Sequence, residues 1–176
     1  MSIIRRCALC LVFLTLVADA FARGNTDHHQ RRVLASAPSV QFAPELRSEV
    51  EDVLQRSATF RAQYRRIAAA RWLAVGVTVD VRLCETSYRA RTTFRRYQSG
   101  LTVAAVALGP GSHHGEWIAH EFEHILEQLD GRNLPQLANR HAKDVWYSGS
   151  DLIETDRAIR AGRAVRDEMR QSQNTW

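Results

Sequence analysis

The pattern HExxH at residues 120–124 constrains this chain more than any other feature of its sequence. It lies inside a predicted helix over residues 116–129, and residues four apart on a helix lie on one face, one turn above the other. Two imidazoles at that spacing can bind a single Zn²⁺, and the glutamate beside the first can reach a water bound to the metal. The pattern therefore predicts a zinc site held by His120 and His124, with Glu121 as the general base of a metal-dependent peptide hydrolase.

A catalytic zinc site usually has three protein ligands and an open position for water, so a third ligand has to come from elsewhere in the chain. Asp130 follows the second histidine by six residues, which is the spacing of the metzincin peptidases. Those enzymes need a glycine three residues after that histidine to bend the chain back, and Glu127 stands there instead. On a continuing helix Asp130 would point about 240° round from His124. A second candidate is His141, in the connection after the helix, whose position the sequence leaves unconstrained.

Glu154 is the third candidate and the one that we expect to bind the metal. It is predicted to lie in the first turn of a final helix that begins near Ser150 or Asp151. The next residues on the same face are all small: Ala158, Ala161, Gly162 and Val165. That face can press closely against another helix, where an unpaired carboxylate would be costly. Zinc would be its partner, so the predicted ligands are His120, His124 and Glu154.

Hydrophobic periodicity predicts an α+β fold. The predicted elements are a long helix over 44–70, a strand over 73–83, two strands over 88–97 and 101–108, the HExxH helix, a short helical turn over 135–140 and a last helix over about 150–170. The first two strands alternate as expected when one face is buried, whereas residues 101–108 are apolar on both faces. The strands on either side of Gln98-Ser99-Gly100 read as a hairpin, so we expect a small, mostly antiparallel sheet.

Residues 1–22 have the features of a secretory signal peptide. Two arginines precede an apolar run over 7–17, and small residues lead up to a predicted cleavage after Ala22, with a cut after Ala20 as the alternative. The run is shorter than the roughly 20 residues that span a bilayer. We therefore expect a protein exported to the periplasm or secreted, without stable membrane insertion after cleavage.

The remaining sequence divides into a predicted flexible leader over 23–43 and a single domain over 44–176. Cys84 is the one cysteine outside the predicted signal peptide, so no internal disulfide is expected, and its place at the end of an apolar strand predicts a buried, inert thiol. The net charge of +5 comes from scattered arginines with few interleaved aromatic residues, which argues against a nucleic-acid partner.

HExxH followed by a connection and a glutamate on a later helix resembles the gluzincin group of zinc metallopeptidases, of which thermolysin is the familiar member. The match covers roughly residues 101–165. It implies a zincin-like minimal catalytic domain, here with a long N-terminal helix and a C-terminal helix that carries the third ligand. It also implies that the strand over 101–108 binds extended substrate. The segments 120–131 and 154–163 are similar, in addition, to those of small uncharacterised exported bacterial zinc-peptidase-like proteins.

The chain departs from the gluzincin pattern next to the expected third ligand. That pattern places an aspartate four residues after the ligand glutamate, and Ala158 stands at that position here. The large flanking domains of the group are also absent from this sequence. Support for the ligands is therefore expected from Asp130, Asp151 or Asp156.

The expected reaction is hydrolysis of a peptide or protein substrate by a zinc-activated water, with Glu121 passing the proton to the leaving amine. A second electrophile would stabilise the tetrahedral intermediate. The candidates for that group are Tyr147, His141, His114 and Arg157. The alternatives are a zinc-stabilised peptide- or protein-binding domain without catalysis, which would not need Glu121, and a hydrolase of another amide such as a cell-wall crosslink. The sequence does not indicate the oligomeric state.

Overall fold

Four strands form the central sheet of the protein. The computed structural model describes residues 39–85, 89–111, 113–149 and 152–173, all within the unit Pro38–Trp176. The strands are β1 (Val40–Phe42), β2 (Leu73–Val79), β3 (Ala90–Arg96) and β4 (Thr102–Leu108), in the spatial order β1-β2-β4-β3. β2 is parallel to both β1 and β4, whereas β3 and β4 form the predicted antiparallel hairpin. The α+β class is confirmed, but the prediction of a mostly antiparallel sheet is wrong for this sheet.

One of the two parallel pairings involves β1, which the sequence analysis assigned to the flexible leader. Val40 is buried against the core, and the backbone N–H of Ala43 donates to the carbonyl of Val77 at 2.9 Å. Helices connect β1 to β2, and a crossover of that kind is what parallel neighbours require. The fold therefore begins by residue 39 and not at residue 44. The rest of the predicted leader, 23–38, and the predicted signal peptide lie outside the described residues.

The predicted long helix over 44–70 is interrupted. Pro44–Leu46 is a 3₁₀ turn, followed by helix α1 (Arg47–Arg56) and helix α2 (Ala58–Ala69). Ser57 separates the two helices in an extended conformation, and its hydroxyl accepts a hydrogen bond from the backbone N–H of Phe60 at 3.0 Å. Serine competes with helical backbone bonding and is favoured at such an N-cap, which explains the break.

The second half of the chain carries the candidate site. Its elements are helix α3 (His114–Leu129), helix α4 (Leu134–Asn139), strands β5 (Val145–Ser148) and β6 (Leu152–Thr155), and helix α5 (Asp156–Gln173). β5 and β6 form an antiparallel ribbon, so Glu154 lies on a strand and the prediction that it opens the last helix is wrong. The hydroxyl of Thr155 accepts from the backbone N–H of Ala158 at 3.0 Å and so starts α5 only after Glu154.

Helix α3 is packed between the sheet and α5. Its apolar side, with Ile118, Phe122 and Ile125, is fully buried, and the ring of Phe122 stacks on Phe60 of α2 at a centroid distance of 5.5 Å. On its other side the helix approaches α5 closely, because Gly162 presents no side chain there. This packing holds the start of α5, and with it β6, beside the HExxH turn.

Two further expectations concern the surface. The strand predicted over 73–83 ends at Val79, and a 3₁₀ turn over Val81–Glu85 follows. Cys84 lies in that turn and is exposed, so the prediction of a buried thiol is wrong.

Across the part of the chain that the structure describes, no helix has both the length and the apolar character that a bilayer span requires.

Candidate metal centre

His120, His124 and Glu154 come together at the junction of α3 and β6. The two imidazole rings lie edge to face with their centroids 5.0 Å apart. The carboxylate Oε1 of Glu154 is 3.2 Å from Nε2 of His120 and 3.6 Å from Nε2 of His124. One donor atom from each residue lies within 4.8 Å of the other two, so the group could hold a metal ion.

The charges of this group are strongly coupled. Burial opposes the charged form of Glu154, but its contacts with His120 and His124 outweigh burial and lower its pKa to about 2. Burial likewise opposes protonation of His124, yet its hydrogen bonds with Glu127 and Glu154 raise its pKa to about 9. In the protein without metal, a proton on the imidazole thus balances the glutamate. A divalent cation between the same atoms would replace that proton.

Neither alternative third ligand joins the group. Asp130 makes ion pairs with Arg66 at 2.7 Å and Arg157 at 2.8 Å. Its pKa is lowered, chiefly by the hydrogen bond from Arg157. His141 lies after α4 in the left-handed region at φ 54°. Among the described residues, Glu154 is the acidic side chain grouped with the two histidines.

Glu121 is held in a fixed orientation by a residue that the sequence analysis did not single out. It is 5% exposed, and the hydroxyl of Thr92 on β3 donates to its Oε2 at 2.6 Å. Burial raises the pKa of Glu121, against the opposing effects of His124 and of the hydrogen bond from Thr92. The alternation of β3 places Thr92 on the same face as Phe94, but nothing local indicates that this face meets the HExxH helix.

Glu127 is the second residue that the sequence analysis missed. It is completely buried, and its Oε2 lies 3.1 Å from Nδ1 of His124. The same oxygen accepts from the hydroxyl of Thr155 at 3.1 Å, and Oε1 accepts from Arg132 at 2.7 Å. Histidine ligands of metals are commonly oriented by such a carboxylate on the other ring nitrogen. The available signal was the spacing of three residues between His124 and Glu127 on one helix face.

Glu127 makes the contact with a histidine of the group that the sequence analysis expected from one of three aspartates. Asp130 holds Arg157 and Arg66, and Asp156 lies 4.0 Å from Arg160 on the surface of α5. Asp151 lies outside the described residues. The contacts of the described residues therefore give the supporting position to Glu127.

The four candidates for a second electrophile are mostly engaged elsewhere. His114 contacts Glu49 through Nδ1 at 2.8 Å, and Tyr147 donates to Asn139 at 3.0 Å. Tyr147 also pairs with Ile153 across the ribbon, which places it on the face opposite to Glu154. The remaining candidates are Arg157, which bridges Glu123 and Asp130, and His141, which lines a groove beside β5.

The expected substrate strand is also different. β4 lies between β2 and β3, so its backbone is paired on both sides and cannot bind an extended peptide. β3 is the edge strand on this side of the sheet.

No protein-family model, no curated protein and no solved structure matches the chain. The resemblance to gluzincins therefore stays a prediction, and the case for the site comes from its sequence and geometry.

Proposed function

We propose that the protein is a zinc-dependent metallopeptidase of zincin-like fold. His120, His124 and Glu154 hold the metal, and Glu121 is the general base. The observation that carries the proposal is the arrival of the Glu154 carboxylate between the two imidazoles of HExxH. Zinc suits this donor set, because two imidazole nitrogens and one carboxylate leave an open fourth position.

The spacing of the donors supports zinc on geometric grounds. Ligand atoms about 2.0–2.2 Å from a tetrahedral zinc ion lie roughly 3.3–3.6 Å from one another. The two separations from Glu154, 3.2 and 3.6 Å, are within about 0.1 Å of that range. When bound, zinc lowers the pKa of a coordinated water and polarises the scissile carbonyl.

Glu121 supplies the proton chemistry. Glu121 lies close enough to His120, His124 and Glu154 for their charges to act on its carboxyl group, and the hydrogen bond from Thr92 fixes one carboxylate oxygen. The other oxygen is left to take a proton from the attacking water and pass it to the leaving amine. Burial raises the pKa of Glu121, which makes its carboxylate a stronger base than that of an ordinary glutamate.

The edge strand β3 supplies a place for the substrate. It pairs with β4 on one side, and Thr92 on its inner face touches Glu121. The backbone groups on the other side can pair with an extended peptide, as in other cases of strand addition. A peptide bound there would pass beside the candidate metal position.

A second candidate function is a zinc-stabilised binding domain without catalysis. The low exposure of Glu121 and its hydrogen bond with Thr92 would also suit a structural carboxylate. Such a domain would bind peptides at the same edge strand and release them unchanged.

The deciding experiment compares the wild type with Glu121→Gln after both have been loaded with zinc. Metal content is measured by elemental analysis, and a generic peptide library is digested and read by mass spectrometry. We expect one zinc per chain in both proteins and cleavage by the wild type alone. Equal cleavage by Glu121→Gln would remove Glu121 from its role, and an inert but zinc-loaded wild type would favour the binding domain.

A further inference from the structure

Two exposed aromatic side chains, Phe94 and Trp146, lie next to residues of the candidate site. Large apolar side chains left in water commonly mark a binding surface when they cluster. The exposed ones among the described residues are Trp72, Val81, Phe94, Trp146 and Tyr147. Phe94 belongs to β3, which supplies Thr92, and Trp146 belongs to β5, which pairs with the strand that supplies Glu154.

Trp146 is the direct cross-strand partner of Glu154 in the β5–β6 ribbon. Side chains of directly paired residues share one face, and their Cβ atoms are about 4.5–5.5 Å apart. The indole therefore stands beside the carboxylate of the candidate metal ligand, yet 38% of Trp146 is exposed. Tyr147, the next residue, points to the other face of the ribbon.

Phe94 lies on β3, the strand that contacts Glu121 through Thr92. It follows Thr92 by two residues on β3, so the two side chains share a face and lie about 7 Å apart along the strand. Thr92 contacts Glu121 at 2.6 Å, and Phe94 is 42% exposed. The partner of Phe94 on β4, Ala104, is fully buried, which shows that this face of the strand is the one that α3 covers.

A groove between α4 and β5 is lined in part by Trp146. Its volume is about 560 Å³, within the range of pockets that hold small ligands or side chains. Asn139, His141 and Lys143 line it together with Trp146. Its surface is more apolar than polar, which suits an apolar side chain of a bound peptide.

We propose that Phe94 and Trp146 form the two walls of the substrate cleft and select extended peptides with aromatic or large aliphatic side chains on either side of the scissile bond. This proposal rests on the proposed function, because it takes the metal position as the point of cleavage. It names a class of substrate that excludes crosslinks made of small residues. Phe94 and Trp146 contact the substrate and determine specificity, while the chemistry belongs to Glu121 and the metal.

The test measures binding separately from turnover. Zinc-loaded Glu121→Gln is titrated into fluorescein-labelled hexapeptides with Phe-Leu or Ser-Ala at the centre, and anisotropy gives the affinity. We expect the Phe-Leu peptide to bind at least about tenfold more tightly, since each buried apolar side chain contributes enough for such a factor. Phe94→Thr and Trp146→Thr, made in the same background, should each lose most of that preference.

Threonine is chosen because it keeps the strand propensity of both positions. Trp72→Thr is the matched control, since Trp72 is also exposed, at 45%, but lies in the turn before β2, an element that carries no candidate site residue. Trp146→Leu keeps an apolar side chain and should keep part of the preference. Zinc content and circular dichroism identify any variant that has not folded.

Equal affinity for the two peptides, or equal losses in Trp72→Thr and Trp146→Thr, would overturn the proposal. The wild type then separates it from the proposed function. A wild type that binds Phe-Leu peptides through these residues but cuts nothing would refute catalysis and leave the recognition intact. A wild type that cuts both peptides equally well would refute the recognition and leave catalysis intact.

Discussion

Glu127 and His124 lie one turn apart on α3, and Oε2 of the buried carboxylate is 3.1 Å from Nδ1 of the imidazole. The carboxylate can only accept, so Nδ1 carries a proton, and Nε2 is the nitrogen of His124 that can bind a metal ion beside Glu154. The same Oε2 accepts from Thr155, the residue that follows Glu154. One buried side chain therefore orients the candidate ligand His124 on α3 and anchors the strand that carries the candidate ligand Glu154.

We expect Glu127→Gln to weaken zinc binding roughly 10- to 100-fold, which is the usual cost of losing the outer partner of a histidine ligand. The amide can no longer balance the charge of Arg132, and it can present its nitrogen to Nδ1 in place of an acceptor. Zinc affinity is measured by competition with a chromophoric chelator at pH 7.

Asp144→Asn is the matched control for that variant. Asp144 accepts from the same Arg132 at 2.7 Å, but its side chain is 45% exposed and makes no contact with His124 in the described structure. Zinc affinity should be unchanged within about twofold, because an exposed ion pair contributes little. An equal loss in Asp144→Asn would mean that Arg132, and not the Glu127–His124 contact, governs the metal.

Glu154→Ala and Asp130→Ala discriminate between the two acidic candidates for the third ligand. Glu154→Ala should weaken zinc by more than the loss of an outer partner does, because it removes an atom bound to the metal. Asp130→Ala should leave zinc affinity unchanged and lower stability by about 1 kcal/mol at most, because its ion pairs are partly exposed. The same chelator titration reads both variants, and the reverse order of metal loss would favour Asp130 as ligand.

The parts of this site that could be predicted from the sequence are the local ones. His120, Glu121 and His124 lie within one helical turn, so their spacing alone fixes their common face. Glu154 lies beside them as expected. The argument from the sequence, that Glu154 shares a helix face with the small residues of the last helix, was correct only in part. The small residues of α5 do pack closely on α3, whereas Glu154 itself stands on β6, because the cap at Thr155 delays the helix.

The parts that could not be predicted depend on contacts between distant segments. Thr92 is 29 residues from Glu121, and only the antiparallel placement of β3 at the sheet edge brings them together. β1 has three residues, too few for alternation to be visible against the polar segment before it. The parallel pairing of β2 with β4 was missed for another reason: three successive strands looked like a meander, whereas β4 lies beside β2 and β3 lies at the edge.

Glu168 gives a prediction about pH. Burial opposes its charged form, but hydrogen bonds from Ser57 and Thr59 outweigh burial and lower its pKa below the ordinary value of 4.5. A carboxylate whose folded pKa is lowered stabilises the fold above its unfolded pKa, and that stability is lost as the pH falls through the folded pKa. We expect Glu168→Gln to lower the free energy of unfolding by about 1–2 kcal/mol at pH 7.

The measurement is urea unfolding of the wild type and Glu168→Gln between pH 7 and pH 3. The difference between the two proteins should shrink steadily below about pH 4.5, the unfolded value, as the wild-type carboxyl takes up a proton. Asp167→Asn, one residue earlier and paired only with Arg166 in the described structure, should show a small effect at every pH. A constant difference between wild type and Glu168→Gln across the range would contradict the assigned role of the charge.

Gly162→Ala tests the close approach that sets β6 against the HExxH turn. A Cβ at Gly162 would lie 3.0 Å from the backbone oxygen of Glu116 and 3.4 Å from Cβ of His120. Alanine favours a helix by about 1 kcal/mol over glycine, but overpacking against backbone costs about 1–3 kcal/mol. We expect the free energy of unfolding, measured in urea, to fall by about 1 kcal/mol. Zinc binding should be weaker because α5 and β6 move away from α3.

Gly76→Ala is the control, since no atom lies within 4 Å of its Cβ, and it should be neutral or slightly stabilising. A stabilised Gly162→Ala with unchanged zinc affinity would show that the two helices can separate without disturbing the site.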